Sequence, residues 1–308
     1  MRIAIMAAGA VGAYFGARWH MAGHEVHFIA RGAHLEAIRR NGLKIESGLG
    51  DLHLKDVKAT DDPTSVGPVD FALFAVKLWD TEKAGEQTKP LVGPRTRVVT
   101  VQNGVDSVER LAPILGDDVV IGGATYIVTT IAAPGVIRHG GKHARILCGR
   151  LDGRSDPVLE GYAKDLQVPG VEFTVTPHMN ADLWKKFVLL SGTSGITAST
   201  RRPMGEVLAD ADMKALFRSL MAEATAIGRA AGADIPADLA EERLRAAAEF
   251  PPNMRASMAN DLAAGNRLEL DWLAGKVVAL GRKLGIPTPA NETVYAIMKA
   301  HRMGRPAD

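Results

Sequence analysis

Three observations in this 308-residue sequence predict an α/β fold, a doubly wound parallel sheet joined to an all-helical domain. The chain opens with Ile3 to Met6, apolar on consecutive positions as in a strand buried on both faces, and passes through a glycine turn into a helix. Further strand-like runs, Glu25 to Ala30, Val69 to Lys77, Arg97 to Val101 and Val119 to Ile127, repeat the pattern. From about Pro177 the texture changes to Ala-rich helical periodicity with no further convincing strand. The length exceeds one average domain, and the expected division is 1–176 for the sheet domain and 177–308 for the helical one.

Composition narrows the function class. Lys plus Arg total 37 against 35 Asp plus Glu, a net charge of +2, so there is no charge excess of the kind that marks a nucleic-acid binder. Cys148 is the only cysteine, which excludes intramolecular disulfides and thiolate zinc sites and fits a reducing, cytoplasmic setting. No apolar run approaches the length of a membrane span, and the first residues read as fold rather than as a signal peptide.

The first turn, Ala7-Ala8-Gly9-Ala10-Val11-Gly12, has the spacing A-x-G-x-x-G between strand and helix, which points to a dinucleotide site. Gly9 lets backbone approach a pyrophosphate, the free N–H groups and dipole of the helix start favour its charge, and Gly12 lets the helix pack on the strand. Ala7 stands where the first glycine belongs; its Cβ is expected to hold φ negative. The helix runs from about Ala10 to Met21, and the second strand ends Ala30-Arg31-Gly32 with no acid. An acid there binds the ribose hydroxyls of NAD, whereas an Arg accommodates a 2′-phosphate, so Arg31 predicts NADP(H).

His34 to Arg40 reads as a short helix, and Leu43 to Glu46 with Leu52 to Val57 as a hairpin around Ser47 to Asp51. Lys77 lies at the C-terminal end of its strand, the edge where such sheets bind ligands, and is a candidate for touching cofactor or substrate. Gln102-Asn103-Gly104 brings an amide to the same edge, where Asn103 can orient a nicotinamide or a carbonyl. Pro134 to Gly149 reads as a closing antiparallel excursion. The histidines show no metal-ligand spacing: His139 and His143 are separated by glycines that argue against a helix aligning them.

In the helical half, Met179, Leu183 and Leu190 share one helix face, and Lys186 lies within about 60° of each while Lys185 points elsewhere. Lys186 therefore sits on the buried or ligand-facing side, where desolvation tunes its pKa toward acid–base use; the competing reading is an Asp182–Lys186 pair. Glu206 to Arg229 reads as one long core helix, and Pro251-Pro252 as the opening of a helix that bears Ser257 and ends at Gly265. Glu269 is expected to head a helix whose Leu273, Val277, Leu280 and Leu284 form its apolar stripe, an unusual place for a carboxylate. A last helix follows Pro287-Thr-Pro289 to about His301, and a polar tail ends the chain.

Taken together, the glycine turn, Arg31-Gly32, Val76-Lys77, Gln102-Asn103-Gly104, Pro134-Gly-Val with His139, Trp184-Lys-Lys-Phe187, and Ser257 with Glu269 resemble the ketopantoate reductase family over nearly the whole chain. The resemblance implies reduction of 2-dehydropantoate to (R)-pantoate with NADPH. It also implies a Rossmann domain joined to a helical domain like that of 6-phosphogluconate dehydrogenase, with the active site in the cleft. Lys186 is then the catalytic lysine, Glu269 assists it, and Asn103 and Ser257 contact cofactor or substrate. Where pantoate-making members carry asparagines, this chain has Leu190, Ser194, Met204 and Met254, which implies a more apolar substrate pocket in which Ser194 alone of the four keeps a hydrogen-bonding group.

The expectation is thus an NADPH-dependent 2-oxo acid reductase acting on a small molecule, without nucleic acid, membrane or metal, and compatible with a homodimer. Three alternatives stay open: a reductase of a different, more apolar 2-oxo acid, a non-catalytic NADP(H)-binding sensor, and an enzyme of the 6-phosphogluconate or 3-hydroxyisobutyrate dehydrogenase type.

Overall fold

The computed structural model describes residues 1–305 and separates into two compact units. One comprises Met1–Gln102 and Asp106–Met179; the other comprises Asn103–Val105 and the chain from Asn180 onward. The tail expected after His301 runs into 306–308, which lie outside the described residues. Among the described residues no helix is long and apolar enough to cross a membrane.

The first unit is built on β1 (Arg2–Met6), α1 (Ala10–Met21), β2 (Glu25–Ile29), α2 (Gly32–Asn41), β3 (Leu43–Ser47), β4 (Leu52–Leu54) and β5 (Lys58–Thr60). These are followed by β6 (Phe71–Phe74), α3 (Thr81–Thr88), β7 (Arg97–Thr100), α4 (Ser107–Leu115), β8 (Val120–Ala133), β9 (Val136–Gly149), α5 (Pro157–Leu166) and β10 (Glu172–Val175). The strands form one sheet in the order β4-β3-β9-β8-β7-β6-β1-β2-β5, with β10 beside β9. From β5 through β2, β1, β6 and β7 to β8 every pairing is parallel. The order reverses at β1, which is the topological switch point where open α/β sheets bind ligands.

β1 is apolar at every position from Ile3 to Met6 because both of its faces are covered. Ile3 and Ile5 join the core that contains Tyr14, Phe15 and Trp19 of α1, while Ala4 and Met6 join the opposite core with Phe74, Leu91 and Leu111. Fully burying each large apolar side chain stabilises by about 1.5–3 kcal/mol, so no polar residue is tolerated on this strand beyond Arg2. The expected hairpin forms, with β3 and β4 antiparallel, and β8 and β9 make the long antiparallel excursion.

The second unit contains α6 (Met179–Thr200), α7 (Met204–Ala209), α8 (Ala211–Ala230), α9 (Leu239–Ala246), α10 (Ser257–Ala264), α11 (Ala274–Leu284) and α12 (Pro289–Met298). α6 runs on past Ser191 through the whole hydroxyl-rich stretch to Thr200. Thr193, Thr197, Ser199 and Thr200 each return a hydroxyl to the carbonyl four residues back, at 2.7–2.8 Å, so the helix satisfies most of these polar side chains itself.

Two helical expectations are corrected. The span Glu206 to Arg229 is two helices, because Asp210 leaves helical geometry and caps α8 by accepting from Met213 N at 2.8 Å. Glu269 does not head α11; it precedes a 3₁₀ turn, Leu270–Trp272, and Leu273 at φ −105°, ψ −99° interrupts the chain before α11 starts at Ala274.

Candidate active site

In the sheet unit the candidate site is backbone. β1 delivers the chain into Ala7, whose φ is +68°, so the expectation of a negative φ is overturned. The turn is held from both sides: Ala8 N donates to Ile29 O at 2.7 Å and Ala75 N to Met6 O at 3.0 Å, and this anchoring offsets the roughly 1–2 kcal/mol that a left-handed alanine costs. Gly12 must be glycine, since a Cβ there would lie 2.6 Å from Ala7 O and 2.7 Å from Ile5 Cγ2. Gly9 is the opposite case, with nothing within 4 Å of where its Cβ would be. No side chain caps α1 and its first turn carries no acid, so its leading N–H groups face that open space.

His34 braces this turn. Its Nε2 lies 3.0 Å from Ala8 O, and Gly135 N donates to its Nδ1 at 3.1 Å, which assigns the proton to Nε2. Burial lowers its pKa, keeping the ring in that neutral form.

A cavity of about 230 Å³ extends from Ala7–Gly9 past Ala30 and Arg31 to Asp80 and Lys83. Arg31 is there as expected, but its guanidinium already bonds Asp80 Oδ2 at 3.0 Å. The acid absent from the end of β2 is thus supplied by a different crossover, three residues beyond Lys77, and Asp61 lines the same cavity. Sequence reasoning missed Asp61, Asp80, Lys83 and His34; only Asp80 had a signal, its position just past the binding edge of β6. Lys77 caps the short turn Leu78–Asp80 with its Nζ 5.6 Å from the centre of the Trp79 ring.

A separate group of side chains lies wholly in the helical unit. α6 presents Lys186 half-buried, and burial pulls its pKa down to about 8 although the nearby Glu269 carboxylate works to raise it. Glu269 is 6% exposed and accepts from Asn103 Nδ2 at 3.2 Å. Asn103 was placed by sequence at the sheet edge; it instead groups with the helical unit, where its neighbour Val105 packs against the helical core. Lys185 lies on another face, its Nζ 3.9 Å from Asp182. Arg267 lies over the Trp272 ring, 6.0 Å from its centre.

The remaining expected residues differ in access. Ser257 is exposed as the first residue of α10. Ser194 is fully buried, and its Oγ has no hydrogen-bond partner among the described residues. Met204 is a fully buried core residue, pinned by its N–H to Met254 O at 2.9 Å, so it forms no open pocket wall. Leu190 and Met254 are partly exposed at the edge of that core. At His139, Nδ1 lies 2.8 Å from Ser47 Oγ and Nε2 3.1 Å from His143 O, so both ring nitrogens have structural partners.

An ammonium of reduced pKa beside an amide-held carboxylate can deliver a proton to an oxygen that gains negative charge. Both halves of the chain match known proteins. The family described as ketopantoate reductase PanE/ApbA matches residues 3–153, and its C-terminal counterpart matches residues 178–302. A Mesorhizobium japonicum protein named 2-dehydropantoate 2-reductase is 32% identical over 97% of each chain. The crystal structure of a PanE/ApbA family ketopantoate reductase from Ralstonia eutropha superposes with a TM-score of 0.90 at 35% identity, covering 98% of each chain. That of 2-dehydropantoate 2-reductase from Geobacter metallireducens also gives 0.90, at 31% identity, covering 97% of this chain and 99% of the other. With both halves matched along almost their full length, the chain belongs to the ketopantoate reductase family.

Proposed function

We infer that this chain is an NADP(H)-dependent oxidoreductase that reduces the C2 carbonyl of a 2-oxo acid, with 2-dehydropantoate to (R)-pantoate as the reaction. The observation that carries the reading is Lys186, desolvated to a pKa of about 8 beside the Glu269–Asn103 pair. When bound, the reduced nicotinamide supplies the hydride. The uncapped start of α1, with Gly9 open and Gly12 closed, fits the cofactor pyrophosphate, and Arg31 with Lys83 fits its 2′-phosphate.

Lys186 Nζ, as the ammonium, holds the carbonyl oxygen, stabilises the alkoxide that develops there, and passes it a proton. At pH 7 a group of pKa about 8 is still mostly protonated, yet gives up its proton more readily than an ordinary lysine. Glu269, oriented by Asn103, keeps the ammonium charged and accepts from the substrate hydroxyl; Ser257 adds a further polar contact. The enzyme works in the cytoplasm on a small molecule, for which the single, buried Cys148 is suited, and a homodimer is compatible with this.

A second reading concerns the substrate branch. Leu190 and Met254 present apolar groups where pantoate-making relatives carry asparagines, and an apolar wall discriminates weakly against or for an added hydroxyl. Absorbance assays of NADPH oxidation should therefore show turnover of 2-dehydropantoate, with kcat/KM for its deoxy analogue at least comparable. Preference for 2-dehydropantoate by orders of magnitude would eliminate the apolar-branch reading, and NADPH binding without turnover of either acid would replace the enzyme by the sensor.

A further inference from the structure

We propose that the helical unit carries a second ligand site, for a small phosphate-bearing anion, in the cavity between the C-terminal end of α6 and the length of α10. The cavity measures about 260 Å³ and contains none of the residues assigned above to catalysis or cofactor binding. Its polar lining is dominated by guanidinium groups: Arg201, Arg255 and Arg305 face it together with His301, Asn266 and Thr197, and among the described residues no carboxylate lines it. The nearest acid on these elements, Asp261, accepts from Asn266 Nδ2 at 3.2 Å.

The arginines elsewhere in this fold show what these lack. Arg97 and Arg150 share Asp156, and Arg110 grips Glu82. Among the described residues, Arg201, Arg255, Arg305 and His301 have no hydrogen bond or ion pair from their side chains, although they converge on one cavity. Like charges gathered without a counter-ion repel one another, and a guanidinium fork matches phosphate oxygens in pairs.

The backbone adapts to bring these groups together. Arg201 follows the end of α6 at φ +58°, one of two non-glycine residues in left-handed geometry among the described residues, the other being Ala7 in the glycine turn. Such a conformation costs about 1–3 kcal/mol and persists only where surroundings enforce it. Arg305 is brought over the cavity by its own N–H, which donates to Gly265 O at 2.9 Å, and Gly265 leaves the room: a Cβ there would lie 2.8 Å from the Arg305 side chain. The volume falls just below the ~300–1,000 Å³ of ordinary small-molecule clefts, which suits inorganic phosphate, pyrophosphate or a small phosphate ester and excludes a dinucleotide. The site also abuts machinery already described, since Ala256 N donates to the cavity-lining Thr197 Oγ1 at 3.3 Å and Ser257 follows directly.

The test is calorimetric titration of inorganic pyrophosphate into the full-length protein saturated with NADPH, so that the cofactor turn is occupied. Saturable binding that weakens with added salt is expected. The double variant Arg201→Gln, Arg305→Gln should lose about tenfold or more in affinity, the equivalent of about 1.4 kcal/mol. Its NADPH Kd and far-UV circular dichroism should be unchanged. Arg255→Gln, on the other side of the cavity, should lose affinity without touching the C-terminal anchor, which guards against misfolding of the double variant. Absence of saturable binding at millimolar pyrophosphate would overturn the site, as would equal affinity in the parent and both variants, or competition with NADPH. Acetate displacing pyrophosphate at equal concentration would overturn the phosphate assignment.

Discussion

The cofactor turn and the lysine site reach function by opposite routes. Residues Ala7 to Gly12 act through backbone: their side chains are small, and what matters is where N–H groups point and where a Cβ would or would not fit. Lys186, Glu269 and Asn103 act through side chains, whose properties come from burial and from one another. The difference teaches where each site is vulnerable. A backbone site tolerates replacement of its first glycine by Ala7, because neighbouring strands enforce the geometry, whereas a side-chain site depends on single functional groups.

The contrast is broken most directly at Lys186. Lys186→Ala should lower kcat by on the order of 10²-fold or more while NADPH binding stays nearly constant, since general-acid catalysis contributes about 10²–10⁴. Lys185→Ala is the control, as its ammonium is engaged toward Asp182; equal losses in the two variants, measured by steady-state kinetics, would sink the assignment.

Next in size is the one place where the cofactor site uses side chains. Arg31→Glu should weaken NADPH by about tenfold or more relative to NADH, because a charge-assisted phosphate contact is worth about 1.5–3 kcal/mol. Asp80→Asn should act in the opposite direction and more weakly, freeing Arg31 from its 3.0 Å ion pair at an exposed position. Fluorescence titration of both cofactors decides: if the two Kd values move together in either variant, the pair is only surface.

The pH profile sharpens the electrostatic side. With Lys186 as the proposed acid, kcat/KM should fall as pH rises through about 8, well below the point at which an ordinary lysine loses its proton. Glu269 raises the Lys186 pKa, so Glu269→Gln should move this alkaline limb to lower pH. A limb that stays in place would mean that another group limits the reaction.

The smallest effect is expected at Ala7. Ala7→Gly relieves left-handed strain of about 1–2 kcal/mol but adds chain entropy of roughly 0.5–1 kcal/mol to the unfolded state, leaving a net change near or below about 1 kcal/mol. Gly12→Ala should be severely destabilising by comparison, because its Cβ would collide with Ala7 O and Ile5. Denaturant unfolding of the two variants measures the gap, and comparable stabilities would show that the turn is looser than its contacts imply.

The buried strands of the sheet, the hairpin at Leu43 to Leu54 and the helical second half were legible from the sequence because apolar periodicity is a local signal, whereas the order of the strands was not. Lys186 was legible for the same reason, its helix face being set by residues within two turns. The hidden features are those in which distant segments meet. Asp80 reaches Arg31 across two crossovers, Asn103 leaves the sheet for the helical unit to hold Glu269, and Ala7 adopts a conformation that its own Cβ disfavours. Likewise, Met204 looks like a pocket residue by alignment of type and turns out to be core. The sequence by itself determined most of the elements and the candidate side chains for chemistry, since periodicity and functional-group identity are local. Only the tertiary structure decided their partners, their burial and hence their pKa, because desolvation and ion pairing depend on whatever the fold brings alongside.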